Sequence, residues 1–298
     1  MTSLYMLAFD HRSSFSRGLL GIVGTPTAAD AARVANVKGV VYEGFKAAVS
    51  NGVRRETAGL LVDEQYGANV ARRARRAGVA LAMPVEQSGR AEFDFEFGPD
   101  FGRHIEEFDP TFAKVLVRYN PGGDAVLNAR QRIRLRRLSD WLNARERKFL
   151  FELLVPAEAE QLANAGLSVE RYDRELRPRL VVETIRELQE AGVEPDIWKI
   201  EGLDRREDCE AVVAQARASG RDDVTCIVLG RGADDERVAH WLSQAAGVDG
   251  FVGFAVGRTL WWNELVGYVA GQLDRETAAA RIAANYGRMI DVYERCAA

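Results

Sequence analysis

Eight short runs, apolar on both alternations and spaced along the whole chain, constrain this sequence more than any other feature. They are Leu4–Asp10, Ala58–Asp63, Val79–Val85, Ala113–Arg118, Lys148–Val155, Asp196–Glu201, Val224–Leu229 and Gly250–Val256. A strand with one wet face alternates polar and apolar residues. A run without that alternation is buried on both faces, as in a parallel sheet covered by helices. Between the runs lie segments with helical apolar periodicity: Ala28–Asn51, Asp124–Asn143, Pro178–Ala191, Arg205–Ser219, Asp234–Ala246 and Arg275–Cys296. Pro178 near the start of one of them, and Gly192 just past its end, are the asymmetric caps of a helix. No Pro/Gly/Ser-rich linker divides the chain. The expected fold class is α/β, a single (β/α)8 barrel over residues 1–298 with a helical extension from about 263 to 298. A doubly wound open sheet is the alternative, because periodicity does not count closure.

The residues that interrupt these runs gather at their C-terminal ends: Asp10-His11-Arg12, Asp63-Glu64, Glu86, Arg118-Tyr119-Asn120, Glu152, Lys199 with Glu201, Gly230-Arg231-Gly232 and Gly257-Arg258. In a barrel those ends form one face, where active sites lie. A formal net charge of -4 offers no basic footprint for nucleic acid. Arg72–Arg76 and Arg130–Arg137 alternate with Ala, Leu or Ile at helical spacing and read as solvated helix faces. Cys209, Cys226 and Cys296 lie far apart, and His11, His104 and His240 do not join them at ligand spacing. Neither a structural zinc nor a disulfide framework is expected, which fits a reducing cytoplasm. No run approaches the ~18 apolar residues of a membrane span, and the N-terminus does not read as a signal peptide.

Lys199 stands inside an apolar strand, in Asp196-Ile197-Trp198-Lys199-Ile200-Glu201. Lysine is rarely fully buried unless paired or functional. An ion pair with Glu201 or a snorkelling side chain would account for it without function. Lys114 and Glu152 sit likewise in Phe112–Arg118 and Phe149–Leu154. Together the three form two lysines and a glutamate from separate inward strands. A second cation near a lysine disfavours its protonated form and makes the free amine accessible for attack on a carbonyl. Glu152 would then relay protons, and Asp10 is placed to exchange one with a substrate hydroxyl. Trp198, adjacent to Lys199, should point the other way, into outer-layer packing.

These strand ends resemble the class I tagatose-bisphosphate aldolase family. They are more closely similar to the barrel domain of inositol catabolism that is often fused behind a 5-dehydro-2-deoxygluconokinase domain. The matching stretches are Phe9-Asp10-His11-Arg12, Leu61–Gly67, Val85-Glu86-Gln87-Ser88-Gly89, Lys114–Tyr119, Phe151–Leu154, Trp198–Glu201 and Val256–Thr259, in the same order over essentially the whole chain. The resemblance implies a Schiff base on Lys199, assisted by Lys114, Glu152 and Asp10. It implies cleavage of 2-deoxy-5-keto-D-gluconate 6-phosphate to dihydroxyacetone phosphate and malonate semialdehyde, with Arg12, Glu86, Gln87, Ser88 and Arg118 as candidate substrate contacts. One departure stands out: Gln87 occupies a position where the family usually has Lys, which touches the substrate's anionic contacts rather than the Schiff-base set.

Leu229-Gly230-Arg231-Gly232 and Val256-Gly257-Arg258-Thr259 close the seventh and eighth runs, where barrels commonly bind phosphate. Glycine admits close backbone approach, and Arg231 and Arg258 are expected to add bidentate donors. No nucleotide-phosphate loop or dinucleotide fingerprint is present, so no cofactor is expected. The acidic groups Asp63-Glu64 and Glu92/Asp94/Glu96 read as substrate-hydroxyl contacts or solvated loop charges rather than as metal ligands. The expected partner is thus a small phosphorylated sugar acid, with neither nucleic acid nor membrane; a homo-oligomer is a family-level expectation. A tagatose- or sulfosugar-type phosphate is the alternative substrate. A non-catalytic sugar-phosphate-binding partner of a kinase is the alternative of another class.

Overall fold

The computed structural model describes residues 3–297; Met1, Thr2 and Ala298, at the ends of the expected span, lie outside the described residues. Each apolar run yields one strand: β1 (Leu4–Ala8), β2 (Ala58–Leu61), β3 (Ala80–Pro84), β4 (Phe112–Arg118), β5 (Lys148–Leu154), β6 (Ile197–Glu201), β7 (Thr225–Leu229) and β8 (Phe251–Val256). All pair in parallel and in sequence order, and β1 returns to β8 with Leu4 opposite Gly253 and Leu7 opposite Val256. The sheet is a closed barrel, as expected, and the open-sheet alternative is excluded. Gly253 sits at that closing seam with φ 149, where a Cβ would overlap the Leu4 carbonyl oxygen, so the seam needs glycine.

Closure explains why the runs are apolar on both alternations. One set of side chains fills the barrel: Leu4, Met6, Leu61, Ala82, Leu150, Ile197, Ile227 and Ala255 form its own cluster. The other set, including Tyr5, Leu7, Phe151, Trp198 and Val228, packs outward beneath the helices.

The helices are α1 (Ala28–Ser50), α2 (Glu64–Arg76), α3 (Phe101–Phe108), α4 (Ala125–Asn143), α5 (Ala159–Asn164), α6 (Val169–Glu175), α7 (Arg177–Glu190), α8 (Arg206–Ala216), α9 (Asp235–Ala245), α10 (Arg258–Val269) and α11 (Arg275–Ala297). Their starts are set by side chains: Thr27 and Asp30 form a reciprocal capping box on α1, and Asp63, Asp124 and Asp234 cap α2, α4 and α9. The expected extension from about 263 is resolved into two parts. Residues 263–269 belong to α10, the helix of the eighth strand, while α11 is the addition. It packs on α1 with Ile282 against Gly44, and Tyr286 donates to the Tyr5 carbonyl at 2.6 Å. Among the described residues no helix is long and apolar enough to cross a membrane.

Inward alternation carries the barrel interior from apolar to charged in a single step. Two residues beyond Phe112, Leu150 and Ile197 come Lys114, Glu152 and Lys199. The site therefore rests on an apolar floor and opens at the C-terminal ends of the strands.

Candidate functional site

Lys199 lies directly opposite Glu152 in the β5–β6 register, and its Nζ is 2.9 Å from Glu152 Oε1. The other oxygen of Glu152 is 2.9 Å from Lys114 Nζ. Lys114 also donates to Asp10 at 2.8 Å and to Glu86 at 2.7 Å. Two buried lysine side chains thus share one carboxylate, and one of them is ringed by three. The pairing of Lys199 with Glu201 considered from sequence is not formed. Glu201 instead accepts from the Val155 N–H at 2.9 Å and meets Arg231 Nε at 3.0 Å.

Burial alone would lower the pKa of Lys114, but Asp10, Glu152 and Glu86 outweigh it and hold the ammonium well above its usual range. Burial likewise opposes ionisation of Asp10, yet Lys114, with His11 and Lys199, keeps that carboxyl below the carboxylate range. Glu152 is lowered in the same way by Lys114 and Lys199. Glu86 goes the other way: burial raises it, Asp10 adds to the rise, and Lys114 does not compensate fully. One Glu86 oxygen is buried without a hydrogen-bond partner among the described residues. His11, beside Asp10, is pushed down to about 4, chiefly by burial and further by Lys199 and Arg258, so its imidazole is neutral near pH 7.

A cleft of about 670 Å³ opens over this cluster, and every candidate site residue lines it: Asp10, Arg12, Glu86, Gln87, Ser88, Lys114, Arg118, Glu152, Lys199, Gly230, Arg231, Gly232, Gly257 and Arg258. Their guanidinium groups are not equivalent. Arg12 pairs with Glu96 at 2.6 Å and donates to the Glu86 carbonyl. Arg231, expected to offer a bidentate donor to an anion, instead gives its guanidinium to Asp173 at 2.5 Å and to Glu201. Its backbone is in a left-handed conformation (φ 54), followed by Gly232 (φ 72). Its carbonyl accepts from Arg258 at 3.0 Å. Arg177, fully buried, completes this network through Asp173 at 2.9 Å and the Gly202 carbonyl at 2.8 Å.

A further expectation is corrected. Asp63 is neither a substrate contact nor solvated: it is fully buried, paired with Lys38, and caps α2 by accepting from the Tyr66 N–H at 2.8 Å. The cap turns its side chain away from the barrel, a signal that Asp63-Glu64 before a helix did carry. The remaining acidic residues meet arginine or histidine: Glu64 is 2.9 Å from His104, Glu92 binds Arg130 and Arg134, and Glu96 binds Arg12. Trp198 is buried against Phe151, as its neighbour's inward direction required, and Trp261 stacks on Phe15. Sequence reasoning missed Arg90, Tyr172 and Asp173 in the cleft lining, and gave His11 no role. Tyr172 and Asp173 sit on a seven-residue helix too short for a periodic signal.

Comparison with known proteins extends these findings. The family described as "Uncharacterized protein conserved in bacteria (DUF2090)" matches residues 1–297. None of the curated proteins compared with the chain matches it. Among solved structures, a Schiff-base-forming fructose-1,6-bisphosphate aldolase aligns with TM-score 0.54 and 16% identity, covering 95% of this chain and 93% of that one. An archaeal fructose-1,6-bisphosphate aldolase, with its catalytic Lys bound to the carbinolamine intermediate, aligns with TM-score 0.54 and 15% identity over 95% and 93%. The Corynebacterium glutamicum protein Cgl0159 aligns with TM-score 0.57 and 20% identity over 95% and 86%. At these identities the likeness is one of fold.

Proposed function

We propose that this chain, which belongs to the DUF2090 family, is a class I aldolase that cleaves a phosphorylated keto sugar acid through a Schiff base on Lys199. The observation that carries the proposal is the shared carboxylate: Lys199 and Lys114 both lie 2.9 Å from Glu152, buried at the floor of the cleft. The fold likeness to two aldolases, one described with a lysine-bound carbinolamine, supports it.

The substrate that best fits is 2-deoxy-5-keto-D-gluconate 6-phosphate. Lys199 passes a proton to Glu152, and its amine adds to the C5 carbonyl carbon. The carbonyl oxygen takes protons through Glu152 and leaves as water, which gives an iminium ion. Asp10, kept ionised by Lys114, removes the proton of the C3 hydroxyl. The C3–C4 bond then breaks, with C3 departing as the aldehyde of malonate semialdehyde and the electron pair entering an enamine. Protonation at C4 and hydrolysis release dihydroxyacetone phosphate and free Lys199. Lys114 stays cationic throughout and keeps Asp10 and Glu152 ionised beside the reacting amine. At the other side, the backbone of Gly230, Gly232 and Gly257 and the guanidinium of Arg258 hold the phosphate at the start of α10.

The test is release of dihydroxyacetone phosphate and malonate semialdehyde from that substrate, measured for the wild type and for Lys199→Ala. Turnover by the wild type alone is the expected result. Equal turnover by the variant overturns the mechanism, and none by the wild type overturns the substrate.

A further inference from the structure

Five arginines line the cleft, and they divide into two groups. Arg12 and Arg231 are spent on Glu96, Asp173 and Glu201. Arg90, Arg118 and Arg258 meet no carboxylate among the described residues, their hydrogen bonds going to the Gln87 side chain and to the carbonyls of Arg90 and Arg231. Arg258 follows β8. Arg90 follows β3 and Arg118 ends β4, which in a closed ring of eight strands is the opposite side. Lys199 on β6 and Glu152 on β5 lie between those two sides, and Asp10 just follows β1. The cleft is thus cationic at both ends with the carbonyl-reactive lysine between them.

The two ends differ in chemistry. The β7/β8 side offers glycine backbone and the N-terminus of a twelve-residue helix, a cradle for a tetrahedral anion. The β3/β4 side brings Gly89 to the lining but, among the described residues, no helix N-terminus, and it presents two planar forks. Arg90 Nε donates to Gln87 Oε1 at 3.0 Å, and Arg118 Nη1 donates to the Arg90 carbonyl at 3.1 Å. The nearby Glu92 carboxylate does not compete, because Arg130 and Arg134 occupy it. Gln87 therefore orients an arginine where a lysine would have supplied its own charge. We propose that Arg90 and Arg118 form a carboxylate site that holds the acid end of the substrate, across the barrel from its phosphate. Planar forks match a planar carboxylate in two parallel hydrogen bonds.

This assignment rests on the aldolase reading, and the condensation direction tests the two separately. The enamine formed from dihydroxyacetone phosphate on Lys199 attacks an aldehyde, the aldehyde oxygen takes a proton, and water hydrolyses the iminium. Three acceptors are compared: malonate semialdehyde, which carries a carboxylate, glyceraldehyde 3-phosphate and uncharged propanal. Arg90→Leu and Arg118→Leu are each expected to lower the ratio of kcat/KM for malonate semialdehyde over propanal by about 10- to 100-fold, the loss of a hydrogen bond between charged groups. Arg90→Lys, which keeps the charge and the fold but loses the fork, is expected to fall between wild type and Arg90→Leu. Unchanged ratios in these variants overturn the carboxylate site while leaving the aldolase intact. A wild-type preference for glyceraldehyde 3-phosphate that both leucine variants abolish overturns it in favour of a second phosphate. No condensation with any acceptor, together with no borohydride-reducible adduct on Lys199, overturns the aldolase reading and this site with it.

Discussion

Of the three buried lysines among the described residues, all of which meet carboxylates, Lys38 and Lys114 do so in opposite ways. Lys38, on α1, is fully buried with Asp63, donates to the Phe9 carbonyl at 2.7 Å and lies over the Phe15 ring. Burial dominates there, and Lys38 is lowered from its usual range. Lys114, inside the barrel, faces Asp10, Glu86 and Glu152, and the three together raise it. The Lys38 pair is one-to-one, capped and walled off by helices; the cluster around Lys114 and Lys199 is shared, leaves a Glu86 oxygen without a partner among the described residues, and opens on a cleft. A buried charge alone therefore says little about chemistry. Surplus, sharing and access separate the Lys38 pair from the cluster proposed to be reactive.

That contrast is easiest to break at its extremes. Lys199→Met is expected to lower turnover by about 10⁴-fold or more while the protein stays folded, because Glu152 keeps Lys114 as its counter-ion. Circular dichroism and the product assay together check this, and a variant that unfolds would make Lys199 a structural residue like Lys38. Lys38→Met should do the reverse: it leaves Asp63 buried and uncompensated, costing about 3–5 kcal/mol in denaturant unfolding. Adding Asp63→Asn, which keeps a cap acceptor and removes the charge, should restore most of that loss. A fully stable Lys38→Met protein would contradict the structural role.

Smaller effects sharpen the comparison further. Glu152→Gln removes the shared proton acceptor but keeps its shape, and should reduce turnover by about 10²- to 10³-fold with slower adduct formation. His11 supplies the smallest effect. Its folded pKa of about 4 lies below its ordinary 6.5, so the unfolded chain binds the extra proton between those values. Stability is complete above about pH 6.5 and falls as pH drops towards 4. His11→Gln should flatten that part of the curve, by at most about 3 kcal/mol and less as solvent screens the partly exposed ring. An unchanged slope would mean that another group titrates there.

How much was legible beforehand follows from what periodicity encodes. Runs apolar on both alternations specify a helix-covered parallel sheet, and a period of two puts Lys114, Glu152 and Lys199 on the face opposite Trp198. Since neighbouring strands in a barrel follow sequence order, the meeting of Glu152 with Lys199 was within reach. Partner choice was not. Arg231 is claimed by Asp173, 58 residues away on α6, and Asp63 by Lys38 on α1. Such contacts depend on how helices seat on the sheet, which no local pattern records. Arg90 was hidden for another reason: it sits in a loop without periodicity, held by Gln87 three residues before it, and its carbonyl anchors Arg118.

The central claim is that Lys199, rather than its equally buried neighbour, carries the covalent step. Incubation of the intact protein with dihydroxyacetone phosphate and sodium borohydride, followed by mass measurement and peptide mapping, addresses it directly. One reduced adduct per chain, on the peptide containing Lys199, is the predicted result. An adduct on Lys114, or none on a folded protein with ligand in excess, would contradict it.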